Sequence, residues 1–515
     1  MTTPALDHAP KQGELGRSAI RNGIWTIGSY SISNVIRLVG NLVITHLLAP
    51  QWIGVMALVT TMVVGIRLFS DLGIGPALIS NPRGTDERFL RTAYAMQLMR
   101  GVFIWLIACL LAIPVAWYYS TRQDPIYSIL AIVMPVAGFQ AVLESMRSTS
   151  IYRLQRMLDL RKGAMLDVIE ISINTSVMVT WAWIHPTIWA LVIPGLIGCG
   201  SVSLISHFFL RDRVDRPQWH ADCAKELIRV GRWIFMSTAL AFLGTQFAPL
   251  IFGRLVDPVM LAIYWIAMSM AMMPYTALAR LGSTVLFPTF SRVAQEPERF
   301  AYVYGKARTL ITLVGGMVVC GMIATSPFGI RMLYKPAYDN AGIMLQLLAL
   351  SVWFQILDTA NVAGLLARQR ADWMVAGNLT KVVFMFGLVP LVYYVAGRHG
   401  GELFGFLCAL VALGCADVLR ACVGVVGLRK TGLPWHALKT DFVLTPLIAA
   451  IGVGSYLLTS LLAPSIEAHF ASANNGTRLA NAVLFAISSS QVLAIFVPAI
   501  VIVWKKSRTA RIIAE

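Results

Sequence analysis

Long apolar runs separated by short polar connectors dominate the chain from residue 22 onward. Fourteen such runs fall near 22–48, 54–79, 94–119, 126–150, 164–184, 188–210, 230–252, 260–290, 306–328, 341–366, 375–396, 403–427, 440–463 and 482–504. Crossing a hydrocarbon core takes about 20 apolar residues in α-helical form, so each run is long enough to span a bilayer. The connectors between them are too short for a water-soluble domain. The pattern predicts an all-α integral membrane protein with about 14 transmembrane helices.

Composition agrees. Of 515 residues, 57% are hydrophobic and only 13% are charged, against roughly a quarter charged in soluble globular domains. That excludes an ordinary soluble enzyme and a disordered chain. The net charge of +17 would point to nucleic acid in a soluble protein, but here the cations are scattered over many short loops with no long basic tail or aromatic-interleaved patch. Their distribution carries a different message. The odd-numbered connectors hold only Arg122, Arg254, Arg331, Lys335, Arg398 and Arg478. The even-numbered connectors and both ends hold most of the rest, including Arg83, Arg88, Arg91, Arg153, Arg156, Arg161, Lys162 and the Lys505–Arg511 tail. Cytoplasmic loops collect Lys and Arg, which predicts that both termini lie in the cytoplasm.

The seven cysteines form no CxxC pair and show no metal-ligand spacing, so no metal, disulfide framework or other cofactor is expected. Cys408, Cys415 and Cys422 recur every seven residues, which predicts small residues at a packing face. Residues 1–20 are polar, with Lys11 and Arg17, and the apolar run after them lacks a small-residue cleavage site, so the first span is expected to be retained.

A shift of 208 positions lays the first run over the seventh. Arg21 meets Arg229, Gly23 meets Gly231, Trp25 meets Trp233, Ser29 meets Ser237, Leu42 meets Leu250, Leu47 meets Leu255 and Pro50 meets Pro258. Six spans separate the copies, so both halves enter the membrane in the same direction, as in parallel transporter repeats. The expected organisation is a cytoplasmic tail (1–20), an N-lobe of spans 1–6 (21–210) and a cytoplasmic linker (211–229). A C-lobe of spans 7–12 (230–427) follows, then spans 13–14 with a basic cytoplasmic tail (428–515). The two lobes are pseudo-symmetric six-helix bodies.

Charges inside spans are expensive and therefore functional candidates. Arg100, Arg147, Arg232 and Lys381 lie within about two turns of a cytoplasmic end, where long side chains can snorkel. Arg37 is too deep for that. It shares one helix face with Asn34 and Asn41, and Tyr30 extends the face, which predicts either a wet cavity lining or a buried polar network. Arg67 and Asp71 can pair at i, i+4, and Asp417 and Arg420 can pair at i, i+3. Arg280 has no opposite charge within a turn. Asp358, flanked by Gln355 and Asn361, is expected either to pair with Arg280 or to serve as a protonation site. Gln246 and Thr245 add polarity to span 7. Proline and glycine breaks recur at Asp71–Pro76, ending span 2, and at Phe287-Pro288, ending span 8.

Three segments near the amino end carry a family resemblance: Asn22-Gly-Ile-Trp-Thr26, Leu47-Leu-Ala-Pro-Gln-Trp-Ile-Gly54 and Ser70-Asp-Leu-Gly-Ile-Gly-Pro-Ala-Leu-Ile79. Ile251-Phe-Gly-Arg254, Tyr264, Phe287-Pro-Thr-Phe-Ser-Arg292 and Tyr334-Lys-Pro-Ala-Tyr338 extend it into the second half. Together they resemble the polysaccharide transporter family, the Wzx-type oligosaccharide flippases of the multidrug/oligosaccharidyl-lipid/polysaccharide exporter superfamily. The resemblance covers most of residues 20–430, while spans 13–14 diverge. It implies a non-enzymatic flippase of the bacterial inner membrane with two lobes, a central cationic cavity and alternating access. The implied cargo is an undecaprenyl-pyrophosphate-linked oligosaccharide for exopolysaccharide or lipopolysaccharide synthesis. Membrane lipids, a polysaccharide polymerase and export machinery are the implied partners.

A diphosphate and acidic sugars need guanidinium partners in a wet cleft. Arg37, Arg67 and Arg280 are therefore the expected contacts to the anionic head group, with Asn34, Asn41 and Gln246 meeting sugar hydroxyls. Asp71, Asp358, Asp417 and Arg420 are candidates for ion coupling or charge pairing. The main rival is a cation-coupled multidrug exporter on the same scaffold, which would favour unpaired acids. A glycosyltransferase or polymerase would need a larger catalytic loop than 464–481, which offers only Glu467, His469 and Arg478. A lipid-scaffolding protein would gain nothing from buried arginines.

Overall fold

The computed structural model describes residues 12–69, 74, 78, 86–120, 125–156, 161–210, 216–228, 242–244, 246–435, 439–471 and 476–512. Among these residues the regular structure is helical, and eleven helices are long and apolar enough to cross a membrane. The chain divides into two compact units, Met1–Phe242 and Leu243–Glu515.

Unit 1 opens with α1 (Gln12–Leu47), α2 (Pro50–Phe69) and α3 (Glu87–Ser120). A 3₁₀ turn (Pro125–Ile129) leads to α4 (Leu130–Gly138) and α5 (Gln140–Ser145), so the expected fourth span is broken. Pro135 lies inside α4 and has no amide hydrogen to donate, which favours a local irregularity there. Three helices follow: α6 (Ser150–Arg156), α7 (Arg161–Ile184) and α8 (Trp189–Leu210). Small residues bring helices close. A Cβ on Gly138 would stand 2.6 Å from the Ala108 Cβ of α3. The opposite side of α3 is an apolar stripe of Leu106, Leu110, Ile113 and Trp117, all exposed, as befits a face turned to acyl chains. The region expected as a linker is structured where described. Residues 221–228 are helical, and Cys223, Ala224 and Leu227 pack with Phe89, Leu90, Ala93 and Met96 of α3.

Unit 2 contains α9 (Ala248–Leu255), α10 (Pro258–Leu281), a π turn (Gly282–Leu286) and α11 (Phe287–Arg292). The break expected at Phe287-Pro288 is thus a π turn just before it. Next come α12 (Pro297–Leu333), a 3₁₀ turn (Pro336–Tyr338) and α13 (Asn340–Ala367). The longest helical stretch is α14 (Ala371–Lys430), 60 residues with a kink at Gly401, whose φ is +83°. At 1.5 Å per residue a straight helix of this length would be about 90 Å long, roughly three bilayer cores. The kink folds it into a hairpin instead. Only glycine enters that left-handed backbone region without steric cost. The two arms meet closely, since a Cβ on Gly405 would lie 2.7 Å from the carbonyl oxygen of Tyr393.

The last two helices, α15 (Lys439–Phe470) and α16 (Gly476–Ile512), belong to unit 2 and pack on α12. Ser488 Oγ donates to the Ala324 carbonyl at 2.9 Å. Ile448 and Phe496 both lie against Gly316.

The 208-residue repeat reappears in the helix boundaries. Leu47 ends α1 and Leu255 ends α9, while Pro50 begins α2 and Pro258 begins α10. Proline is favoured in the first helical turn because its missing N–H would have no partner there. In α10 the preceding Asp257 completes the start by accepting from the Met260 amide at 2.7 Å.

Candidate functional site

The polar residues of unit 1 sit on faces that stay partly open. On α1, Ile32, Val35 and Val39 form an exposed apolar face. Gly40 packs on Thr175 and Met178 of α7. With 3.6 residues per turn, Arg37 lies on roughly the opposite side of α1 from that apolar face and is exposed. Asn34 and Asn41 flank it and are half-buried. One side of α1 is therefore suited to lipid and another carries an accessible guanidinium between two amides. The side chain of Tyr30 lies outside the described residues.

Arg67, at the end of α2, pairs with Glu144 of α5 at 2.8 Å, and both are partly exposed. Asp71, the partner expected from spacing, lies outside the described residues, as do Gly73, Gly75 and Pro76. Arg100 does not stand alone, since it donates to the Arg67 carbonyl at 2.9 Å. Arg147 meets Asp167 at 3.2 Å and Glu170 at 3.6 Å. Arg232 and Thr245 are outside the described residues.

Unit 2 is organised differently, around a buried network on α12, α13 and the α14 hairpin. Lys381 Nζ lies 2.6 Å from Asp417 Oδ1, with both side chains under 5% exposed. Asp417 also accepts from Ser351 Oγ at 2.5 Å and from Gln355 Nε2 at 3.2 Å. Arg420 Nε lies 3.0 Å from Asp358 Oδ2. Asn361 links this pair to the next group. Its Nδ2 donates to Asp358 Oδ1 at 3.2 Å, and its Oδ1 accepts from Arg308 Nη1 at 2.8 Å and from Tyr304 Oη at 2.9 Å. Arg308 also donates to the Leu357 carbonyl at 2.5 Å and is 2% exposed. Burial of a charge is tolerable only when it is paired and hydrogen-bonded; Lys381–Asp417 and Arg420–Asp358 are paired, while Arg420 Nη1 stays buried without an acceptor.

Three expectations from spacing are corrected here. Asp417 and Arg420 do not pair with each other, because the hairpin sets Lys381 against Asp417 while α13 sets Asp358 against Arg420. Asp358 consequently does not pair with Arg280. Lys381 does not snorkel, since α13 and both arms of α14 enclose it. Arg280, near the end of α10, is exposed. Gln246 is exposed too, but it occupies a turn before α9 rather than a helix interior. The cysteine stripe is also corrected: Cys415 and Cys422 are exposed and do not form a packing face.

Arg308 was overlooked by reading spans and depths alone, because it falls just inside the ninth apolar run beside connector cations. A signal did exist. Tyr304, Arg308 and Thr312 repeat at every fourth residue on one face of α12, and all three are buried.

No group of His, Cys, Asp and Glu able to hold a metal occurs among the described residues. A family model described as "Polysaccharide biosynthesis protein" matches residues 43–342. The succinoglycan biosynthesis transport protein ExoT of Rhizobium meliloti is 20% identical over 511 residues, covering 96% of this chain and 95% of that protein. The teichuronic acid biosynthesis protein TuaB of Bacillus subtilis is 21% identical over 359 residues, covering 64% of this chain and 71% of that protein. The solved structure of the lipid II flippase MurJ in an inward closed conformation aligns with a TM-score of 0.59 at 12% identity. That alignment covers 93% of this chain and 100% of MurJ, and it speaks for the fold. The chain belongs to the polysaccharide biosynthesis protein family and is a multi-pass membrane protein that shares the fold of MurJ.

Proposed function

We propose that this protein moves a polyprenyl-pyrophosphate-linked oligosaccharide from the cytoplasmic to the periplasmic leaflet of a bacterial inner membrane, with both termini in the cytoplasm. Family membership supports a role in polysaccharide biosynthesis, and the transport role named for ExoT supports translocation. The observation that carries the reading is Arg37. A guanidinium exposed on one side of an apolar helix, with acyl-facing residues on the other, is costly unless it meets water or an anion. A diphosphate is a fitting anion because its oxygens can accept two parallel N–H donors from one arginine.

In this reading Arg37 and Arg280 contact the diphosphate, and Asn34, Asn41 and Gln246 contact sugar hydroxyls. Arg67 plays a smaller part because Glu144 already answers its charge. Alternating access exposes the cationic site first to one leaflet and then to the other, while the prenyl tail stays in lipid. The coupled drug exporter is less well supported. Its cationic cargo would need unanswered acids, whereas Asp358 and Asp417 are already matched by Arg420 and Lys381.

The test is complementation of a flippase-null strain by Arg37→Ala and Arg280→Ala variants. Both are expected to abolish surface polymer while membrane expression stays at the wild-type level. Normal polymer output from both would refute the assignment.

A further inference from the structure

At one end of unit 2, two cations lie on rings of one aromatic cluster and a third lies on a tryptophan beside it. The cluster contains Phe290, Phe300, Tyr304, Leu428 and Leu433, with Trp373 packed against it. Arg368 lies over the Phe300 ring at 4.3 Å, and Lys430 lies over Trp373 at 4.8 Å. Arg429 lies over Trp435 at 3.7 Å, just beyond the end of α14. These residues belong to the C-terminus of α13 and to both ends of the α14 hairpin, so they share one side of the membrane. From the charge pattern of the connectors, that side is the cytoplasmic one.

The neighbouring cations are answered by acids: Arg299 by Glu296 at 3.5 Å and Arg370 by Asp372 at 2.8 Å. Arg368, Arg429 and Lys430 have no carboxylate within salt-bridge reach among the described residues. At the opposite end of the same helices, Arg331 is answered by Asp339 at 4.0 Å. Two buried donors also lack an acceptor, Arg368 Nε and Trp373 Nε1. A buried donor without an acceptor is costly. Here two of them stand beside the cations that lack a carboxylate.

We infer that this cluster is a binding site for the phosphate diester head group of an anionic phospholipid. Rings held flat beneath the cations leave the edge N–H groups of the guanidinium free to take phosphate oxygens. Tryptophan at head-group depth suits the membrane–water boundary, and basic pockets between helices on the cytoplasmic side are apt for anionic lipid. The inference is independent of the transport reading.

The test uses the purified full-length chain, with native mass spectrometry to measure retained phosphatidylglycerol against phosphatidylcholine. Wild type is expected to retain the anionic lipid with about tenfold preference, because the choline ammonium cancels the charge of the phosphate that phosphatidylglycerol leaves uncompensated and each nearby Lys or Arg gains from that net charge. Replacing Arg368, Arg429 and Lys430 together by Gln should remove that preference, whereas Arg299→Gln with Arg370→Gln should leave it. Trp373→Phe keeps an aromatic ring near Lys430 but replaces the indole and its N–H, so it should weaken retention by about fivefold, the value of one net hydrogen bond. This milder variant and the wild-type preference remain readable if the triple variant fails to fold. Equal retention of the two lipids by wild type, or an undiminished preference in the folded triple variant, would overturn the inference. So would complete displacement of the lipid by inorganic pyrophosphate, which would assign the site to a soluble diphosphate.

Discussion

The two units handle charge in opposite ways. In unit 1, Arg67, Arg147 and their acids form pairs that keep partial exposure, with the Glu144 side chain 43% and the Asp167 side chain 67% exposed. In unit 2, two buried groups sit among long helices: Lys381 with Asp417, which also accepts from Ser351 and Gln355, and Arg420 with Asp358, which Asn361 joins to Arg308. Exposed pairs contribute little, because solvent screens them and their long side chains lose freedom on pairing. Buried pairs are different in kind. Their net contribution against an apolar replacement is small, but losing one partner strands a charge in a low-dielectric interior. Unit 2 is therefore built to hold one arrangement, and unit 1 to present charge.

The largest effect should come from splitting the Lys381–Asp417 pair. Asp417→Leu alone is expected to lower stability by about 3–5 kcal/mol, read as thermal unfolding of the detergent-solubilised protein. Combining it with Lys381→Met should recover most of that loss. A double variant as unstable as the single one would show that the pair is not the unit of stability. Next in size is Arg308→Leu, which leaves Asn361, Tyr304 and the Leu357 carbonyl without their shared donor. A loss of about 3 kcal/mol is expected from bonds to a charged group, and Arg308→Lys should rescue it only in part because an ammonium lacks the planar fork. The smallest effect should be Arg147→Gln in unit 1, at about 1 kcal/mol or less and diminishing further in salt. A large loss there would erase the contrast between the units.

Much of the fold was legible from single residues. The 208-residue repeat paired Pro50 with Pro258, which begin α2 and α10, although the apolar runs place those spans only from 54 and 260 onward; proline at a first helical turn is a local preference that needs no tertiary context. The spacing of Asn34, Arg37 and Asn41 put them on one face of α1, but left open whether that face lines a wet cavity or joins a buried network. The charge partners did not follow. Asp417 and Arg420 are near each other along one helix, yet each pairs with a residue brought in from elsewhere. Spacing reports only which side chains share a helix face, and a strong ion pair forms with whatever opposite charge the neighbouring helix presents. Depth counting failed for Lys381 for the same reason. Distance from a helix end along the chain does not reveal that two other helices close over it.

Sequence by itself determined that this chain lives in a membrane, is helical, repeats part of its opening sequence 208 residues later and sets Arg37 on one face of α1 with Asn34 and Asn41. Those properties rest on hydrophobic run length, helical periodicity and local turn chemistry, all of which act over a few residues. Only tertiary structure decided that the kink at Gly401 folds one 60-residue helical stretch into a hairpin, that Lys381 answers Asp417, and that Arg308 is buried and central. Those outcomes depend on which helices touch, and in a chain this apolar many helix faces are interchangeable until packing selects among them.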